Sequence, residues 1–223
     1  MEAATVRCRR RFPSACATSP TRRGLRAART HQLAKEITTV AWEIDAVHSS
    51  VGFAVRHLMV STVRGHFNVM RGQLHIDEQE PAQSWVEAEV DAASVDTRNA
   101  QRDAHLRSDD FFDVERYPLI TFKSTRVERV SDQEFQVTGD FTIHGVTRSV
   151  TFDGDYSGQS NIMGRQRAGL SARTKINRKD FDLTFGTLVE ATQGALGEMV
   201  TIELDLEVVP QTAAEPATTA SAS

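Results

Sequence analysis

Hydrophobic and polar residues alternate one by one over much of the chain, most cleanly in "VTIELDLEVV". There Val200, Ile202, Leu204, Leu206 and Val208 fall on one side, and Thr201, Glu203, Asp205 and Glu207 on the other. A period of two is the signature of a strand with one buried and one wet face, as in an antiparallel sheet. The pattern recurs through Val51, Phe53 and Val55, through Val86, Ala88 and Val90, and through Ile120 and Phe122. It recurs again through Phe135, Val137, Phe141 and Ile143, and through Ala168, Leu170, Ala172 and Ile176. Between these runs "MRGQ", "DEQEP", "VSDQE" and "IHGVTR" offer the Gly, Asp or Pro that turns require. The sharpest is "HGVT", which leaves room for a two-residue hairpin connection.

Only one stretch breaks the period. From Thr97 to Phe112 the pattern predicts helix, with Thr97 or Asn99 as N-cap and "AQRDAHLR" free of Gly and Pro. Ser108 followed by Asp109 and Asp110 predicts a second N-cap, and Tyr117-Pro118 ends any helix before "LITFKS" resumes a strand. The expected fold is all-β with a short helical insertion, in which about eight strands form a meander. An open meander of that length leaves two exposed edges, so a closed barrel is expected, with the helix across one end as a lid.

Composition bounds this picture. A chain of 223 residues with 39% hydrophobic content supplies one sizeable core. Residues 1–35 carry nine Lys or Arg against one acidic residue (+8), and the remainder seventeen against twenty-nine (−12), which sum to the net −4. Ten of the eleven phenylalanines and both tryptophans lie in the acidic remainder. The basic head cannot offset its ordering entropy and is expected to be disordered over 1–39. The Pro/Ala/Thr/Ser tail over 210–223 is expected to be loose as well. A single domain is therefore expected over 40–209.

Arg9 to Phe12 resembles a twin-arginine signal, but Pro13 to Pro20 is too short and too polar for an apolar core. "SAC" resembles a lipoprotein cleavage site, but Pro13 stands where a large aliphatic residue belongs. An organellar transit peptide and a solvated basic arm also fit the head, and a start codon upstream of the true one weighs evenly against all these functional readings together. The expected location is the cytoplasm, with export as the alternative. No run approaches the roughly 20 apolar residues of a transmembrane helix.

Catalytic chemistry finds little support. His105 and Asp109, and Asp103 and Arg107, are spaced i, i+4 and could meet on a helix face. Yet there is no "GxSxG", no "HExxH" and no phosphate loop, and both cysteines, Cys8 and Cys16, lie in the head. The simpler reading is a capped helix with surface ion pairs, and no enzyme is expected. Of the histidines, His66, His75 and His144 are placed by parity on the solvated face, and His57 on the inner face near a strand end. A lone inward imidazole is more often a hydrogen-bonded histidine than a ligand, so no metal is expected. The inner face mixes large residues with Ala88, Ala168 and Ala172. From periodicity alone, a barrel filled by its own side chains and one with a ligand tunnel are both open.

Several ordered motifs decide further. "DAVHSSVGFAVRHL" (45–58), "VRGHF" (63–67), "RDAHLRSDDFFDVERYP" with "FKS" (102–124), "GDFTIHGVT" (139–147), "INRKDF" (176–181) and "VTIELDLE" (200–207) together resemble the YceI-like family across nearly all of 40–209. The resemblance implies a lipocalin-like, extended eight-stranded antiparallel β-barrel whose apolar tunnel binds polyisoprenoids or other long-chain amphiphilic lipids. It implies no catalytic residue, metal or cofactor beyond that isoprenoid or fatty-acid-type ligand. The lining then expected comprises Phe53 and Val55, Val86 and Val90, Ile120 and Phe122, Phe141 and Ile143, Leu170, and Ile202 and Leu204. Expected head-group contacts are His57, Arg102, His105 and Arg178, with Leu106, Phe111 and Phe112 anchoring the lid. Asp182 departs from the family pattern, which has Gly there, and 183–198 matches only in patches. The expected partner is a long-chain lipid, with a homodimer open and no specific nucleic acid. The alternative is a stress-associated barrel that acts through protein contacts without stoichiometric lipid.

Overall fold

The alternating segments form strands in a computed structural model that describes residues 41–57, 60–162, 164–184 and 196–211. The strands are β1 (Ala41–Ile44), β2 (Ser50–His57), β3 (Ser61–Phe67), β4 (Met70–His75), β5 (Trp85–Asp91) and β6 (Val95–Asp96). Helix α1 (Ala100–Arg107) follows, then β7 (Leu119–Arg129), β8 (Glu134–Ile143), β9 (Val146–Ile162), β10 (Arg165–Asn177) and β11 (Leu196–Pro210). The expected boundaries at 39 and 210 fall largely outside the described residues. β11 itself runs through Pro210, after which Gln211 N–H donates to Ala41 O.

Every pairing is antiparallel. Three strand positions are interrupted, so β1–β2, β3–β4 and β5–β6 each act as one long strand. β1 and β2 lie in sequence along β11, with Ile44 opposite Val208 and Ser50 opposite Asp205. The strand order then runs β1–β4–β5–β7–β8–β9–β10–β11 and closes through β11 onto β1. This is an eight-stranded antiparallel barrel in which each strand position pairs with its neighbours in sequence and the last closes on the first. Closure pairs the backbone groups that an open sheet would leave as edges. Among the described residues no helix is long and apolar enough to cross a membrane.

One end of the barrel carries α1, the β8–β9 turn and residues 178–184, and is called the helix end. The other, the loop end, carries the 76–84 connection and the β7–β8 and β9–β10 hairpins. The "HG" turn is a two-residue connection with His144 at φ +51° and Gly145 at φ +73°, as a hairpin twisted to match its strands requires. "MRGQ", by contrast, is not a turn but part of β4. Gly72 there makes room for Ile44 and the backbone of β5, since a Cβ would lie 2.7 Å from Ile44 Cδ1 and from Glu87 O.

The helical insertion is shorter than its pattern suggests. Asn99 caps α1 by accepting from Arg102 N–H, and the helix stops at Arg107. Ser108 ends α1 instead of starting a second helix: its N–H and hydroxyl both donate to His105 O. The chain then turns back, with Phe112 N–H donating to Leu106 O and Asp113 at φ +47°. That reversal buries Phe111 and Phe112 side by side, their rings 5.0 Å apart and edge-to-face. Burying two aromatic rings outweighs the modest capping preference of a half-buried serine and two exposed aspartates.

Candidate functional site

The inward-facing side chains do not fill the barrel. A single cavity of about 1240 Å³ is bordered by residues of both ends and of the walls between them. This exceeds the roughly 300–1,000 Å³ of an ordinary small-molecule pocket. On β11 the lining spans Leu196 to Leu206. At a rise of about 3.3 Å per residue and a tilt near 40°, that is a tunnel on the order of 25 Å long.

All eleven residues expected on the lining border this cavity: Phe53 and Val55 from β2, Val86 and Val90 from β5, Ile120 and Phe122 from β7, Phe141 and Ile143 from β8, Leu170 from β10, and Ile202 and Leu204 from β11. His57, Arg102, His105 and Arg178 also border it, all at the helix end, as do Leu106, Phe111 and Phe112. The aromatic anchor continues inward, with Phe112 5.9 Å from Phe67 and Phe67 5.6 Å from Phe53.

Polar contacts fasten the cap at the helix end. Arg102 donates from Nε to Thr97 Oγ1 and from Nη2 to Thr97 O, and Arg107 donates to the carbonyls of Ala93 and Val95. Asp103 does not meet Arg107 as the i, i+4 spacing suggests. It is buried and accepts from Thr97 N–H at 2.9 Å and from Thr97 Oγ1 at 2.5 Å. Likewise His105 approaches Asp110, at 3.6 Å, and not Asp109, because the chain turns after Ser108.

Burial alone would raise the Asp103 carboxyl, but the two Thr97 hydrogen bonds, with Arg107 and Arg102 nearby, outweigh it and hold it below its ordinary value. A carboxyl depressed in the folded state stabilises fully above its unfolded value, about pH 4, and loses that contribution as pH falls through the lower folded value. Asp103→Ala is therefore expected to lose about 2 kcal/mol at pH 7. Urea titrations at pH 7 and pH 3 should show the gap between variant and wild type narrowing in acid.

Arg178 is 2% exposed, and its guanidinium donates to the carbonyls of Leu183 at 2.6 Å and Gly197 at 3.2 Å. It borders the tunnel but also ties residues 178–183 to the start of β11. Asp182, where the resemblance leads one to expect Gly, adopts φ +56°, ψ 18°. That left-handed position favours glycine, and aspartate is among the residues that tolerate it.

The loop end was missed by reading the sequence. Glu78, in the 76–84 connection, accepts from Tyr156 Oη at 3.0 Å and Gln159 Nε2 at 3.1 Å, joining the β4–β5 connection to β9. The alternation already places Phe135 on the apolar face, and Tyr156 carries inward parity on β9 and could have been found by it, whereas nothing local marks Glu78. His75, expected on the solvated face, borders the cavity at this end because β4 finishes there. His144 packs edge-to-face on Tyr117, 4.7 Å away, with a buried Nδ1. Of the three histidines placed outside by parity, His66 is the one that stays on the outer wall, 3.9 Å from Asp96.

The two ends differ in charge. The helix end presents His57, Arg102, His105 and Arg178 to the cavity. The loop end presents Asp77, Glu78, Asp132 and Glu134 with Arg129 and His75, and Arg129 is paired with Asp132 at 2.8 Å.

Outside the tunnel, Asp45, His48 and Glu207 form the one cluster of metal-type donors among the described residues. Arg167 pairs with Glu207 and reaches Asp45 Oδ2 at 3.2 Å. The hydrogen bond from His48 holds the Asp45 carboxyl below its usual value. One guanidinium already pairs with both carboxylates, so the group reads as an ion-pair network.

These features define a closed antiparallel barrel enclosing a long apolar tunnel whose described residues are basic at one end and mainly acidic at the other. The chain belongs to the YceI-like family, whose domain model matches residues 42–208. Among curated relatives, the YceI protein of Escherichia coli is 41% identical over 140 residues, covering 62% of this chain and 73% of that protein. Among solved structures, BcnA of Burkholderia cenocepacia superposes with a TM-score of 0.67 at 22% identity, over 74% of this chain and 98% of the other. A polyisoprenoid-binding domain from Saccharophagus degradans superposes with a TM-score of 0.61 at 18% identity, over 77% and 99%. These two structural likenesses concern the fold.

Proposed function

We propose that the protein binds a polyisoprenoid or another long-chain amphiphilic lipid non-covalently, sequestering or carrying it, with no catalytic step, metal or further cofactor. The observation that carries this reading is the continuous apolar cavity bordered by residues of both barrel ends and of the walls between them. The polyisoprenoid-binding domain with the same fold supports it.

Each buried methylene is worth about 0.8 kcal/mol, so a dozen contribute about 10 kcal/mol. Association costs about 4–15 kcal/mol, so chains longer than a dozen carbons are favoured. A tunnel on the order of 25 Å approaches the roughly 30 Å hydrocarbon thickness of a bilayer, and suits such chains. The head group lies at the helix end, where cationic and donor groups favour a phosphate, carboxylate or carbonyl. His57 is the first candidate contact. Arg102 has two nitrogens on Thr97 and a third available to a ligand.

Native mass spectrometry of gently extracted protein tests this. About one lipid per chain is expected, released on denaturation. A lipid-free mass, together with no uptake of palmitate or farnesol by the same protein, would sink the proposal.

A further inference from the structure

A barrel of eight strands is narrow enough for its own side chains to fill, so something must keep this one open. Three inward positions carry glycine where a phenylalanine from the neighbouring strand lies across the gap. Phe53 stands opposite Gly65 in the β2–β3 register, and Phe135 opposite Gly154 in the β8–β9 register. Phe122 covers Gly139 between β7 and β8.

Each contact is closer than any side chain would allow. A Cβ on Gly154 would lie 2.5 Å from Phe135 Cζ and 2.6 Å from Cε2. One on Gly65 would lie 2.8 Å from Phe53 Cε1 and closer still to its Cζ. The rings therefore lie against the wall, in the notch that the missing side chain leaves. Phe53 and Phe135 are only half-buried although both point inward, and both border the cavity. Their open faces are tunnel wall. If the notch is filled, backbone blocks outward movement and the ring must swing into the lumen.

The two outer pairs sit near opposite ends. Phe53 and Gly65 lie beside Phe67 and Thr97 at the helix end, and Phe135 is the second residue of β8, next to the loop-end hairpin. We propose that Phe53 on Gly65 and Phe135 on Gly154 determine ligand specificity, the first setting the bore beside the head group and the second the usable length for the tail. This rests on the lipid-binding reading above. A purely structural role, aromatic cover for glycines within strands, is the alternative. The middle pair is less suited to a test, because a Cβ on Gly139 would press the backbone carbonyl of Lys123 harder than one on Gly154, 2.8 Å from Ser171 O, would press its own neighbour.

The test uses the full chain after delipidation. Dissociation constants are measured for straight-chain fatty acids from decanoate to eicosanoate and for polyprenols from farnesol to solanesol. Gly154→Ala is expected to weaken the longest binding members about tenfold and leave the shortest unchanged. Gly65→Ala is expected to weaken methyl-branched chains relative to straight ones of equal length. Removing the ring as well, in Gly154→Ala/Phe135→Ala and Gly65→Ala/Phe53→Ala, should restore the lost ligands. Rescue would separate a displaced ring from a distorted backbone. If a glycine variant does not fold, Phe135→Ala and Phe53→Ala alone must shift selectivity the opposite way, toward longer and bulkier chains.

Profiles unchanged in the variants, or losses that the double variants fail to restore, overturn the specificity role while the binding reading stands. A wild-type chain that takes up no member of either series overturns both.

Discussion

Replacing Leu204 by aspartate is expected to abolish long-chain lipid binding, weakening it at least about a thousandfold, while the barrel still folds. Leu204 lies toward the loop end of the lining part of β11, faces the tunnel between Val51 and Ala172, and is only half-buried. In the unliganded protein a carboxylate there can keep water in the lumen. A lipid tail expels that water and leaves the charge without a partner in apolar surroundings, at a cost of several kcal/mol. About 4 kcal/mol corresponds to a thousandfold in affinity. The control is the adjacent outward residue: Asp205→Asn changes the solvent face of the same strand and should leave affinity within about twofold. Fluorescence displacement with a fatty-acid probe, alongside far-UV circular dichroism to confirm the fold, measures both. Equal binding by Leu204→Asp and wild type would place the ligand outside the tunnel.

Arg178→Met is expected to cost about 3 kcal/mol of stability, a fall in Tm of about 9 °C for a domain of this size. The loss comes from the buried carbonyl of Leu183 and the partly buried carbonyls of Gly197 and Leu196, which are left without this donor. Methionine retains much of the arginine's length and apolar stem, so a cavity contributes little to the difference. Arg178→Lys should recover less than half, since a single ammonium cannot reproduce the planar fork that reaches both segments. The same pair of variants tests the head-group role. If Arg178 serves mainly to hold an anionic head, Arg178→Met keeps the wild-type Tm and loses the preference for anionic over neutral lipids. Thermal melts and paired binding measurements distinguish the outcomes.

The lining was legible because strand periodicity is a local property. Parity alone assigns Phe53, Ile143, Leu170 and Ile202 to one face, and a closed barrel has only one inside. The cap was legible in outline, since Asn99 and Tyr117-Pro118 mark its limits. Its internal pairing was not legible, because Asp103 is captured by Thr97 and His105 by Asp110 only once Phe111 and Phe112 have turned the chain back. His75 was misplaced for a related reason: parity describes the wall of a barrel and loses its meaning at the mouth, where a strand ends. Glu78 belongs to a connection without periodicity, and its partners Tyr156 and Gln159 lie far along the chain.

Taken by itself, the order of residues determined the barrel, the number of its strand positions, the place of the helix and the apolar character of the inner face. Strands, helix and apolar face follow from spacing within segments of a few residues, closure from the edges an open meander would leave, and the count of eight strand positions from the resemblance to the family. Tertiary structure decided whether the inside is filled or hollow, which mouth is cationic and which acidic, and that Arg178 is held by backbone carbonyls. Those outcomes depend on side chains that meet across the barrel, and on glycines that make room for a neighbour's ring, so no single segment contains them.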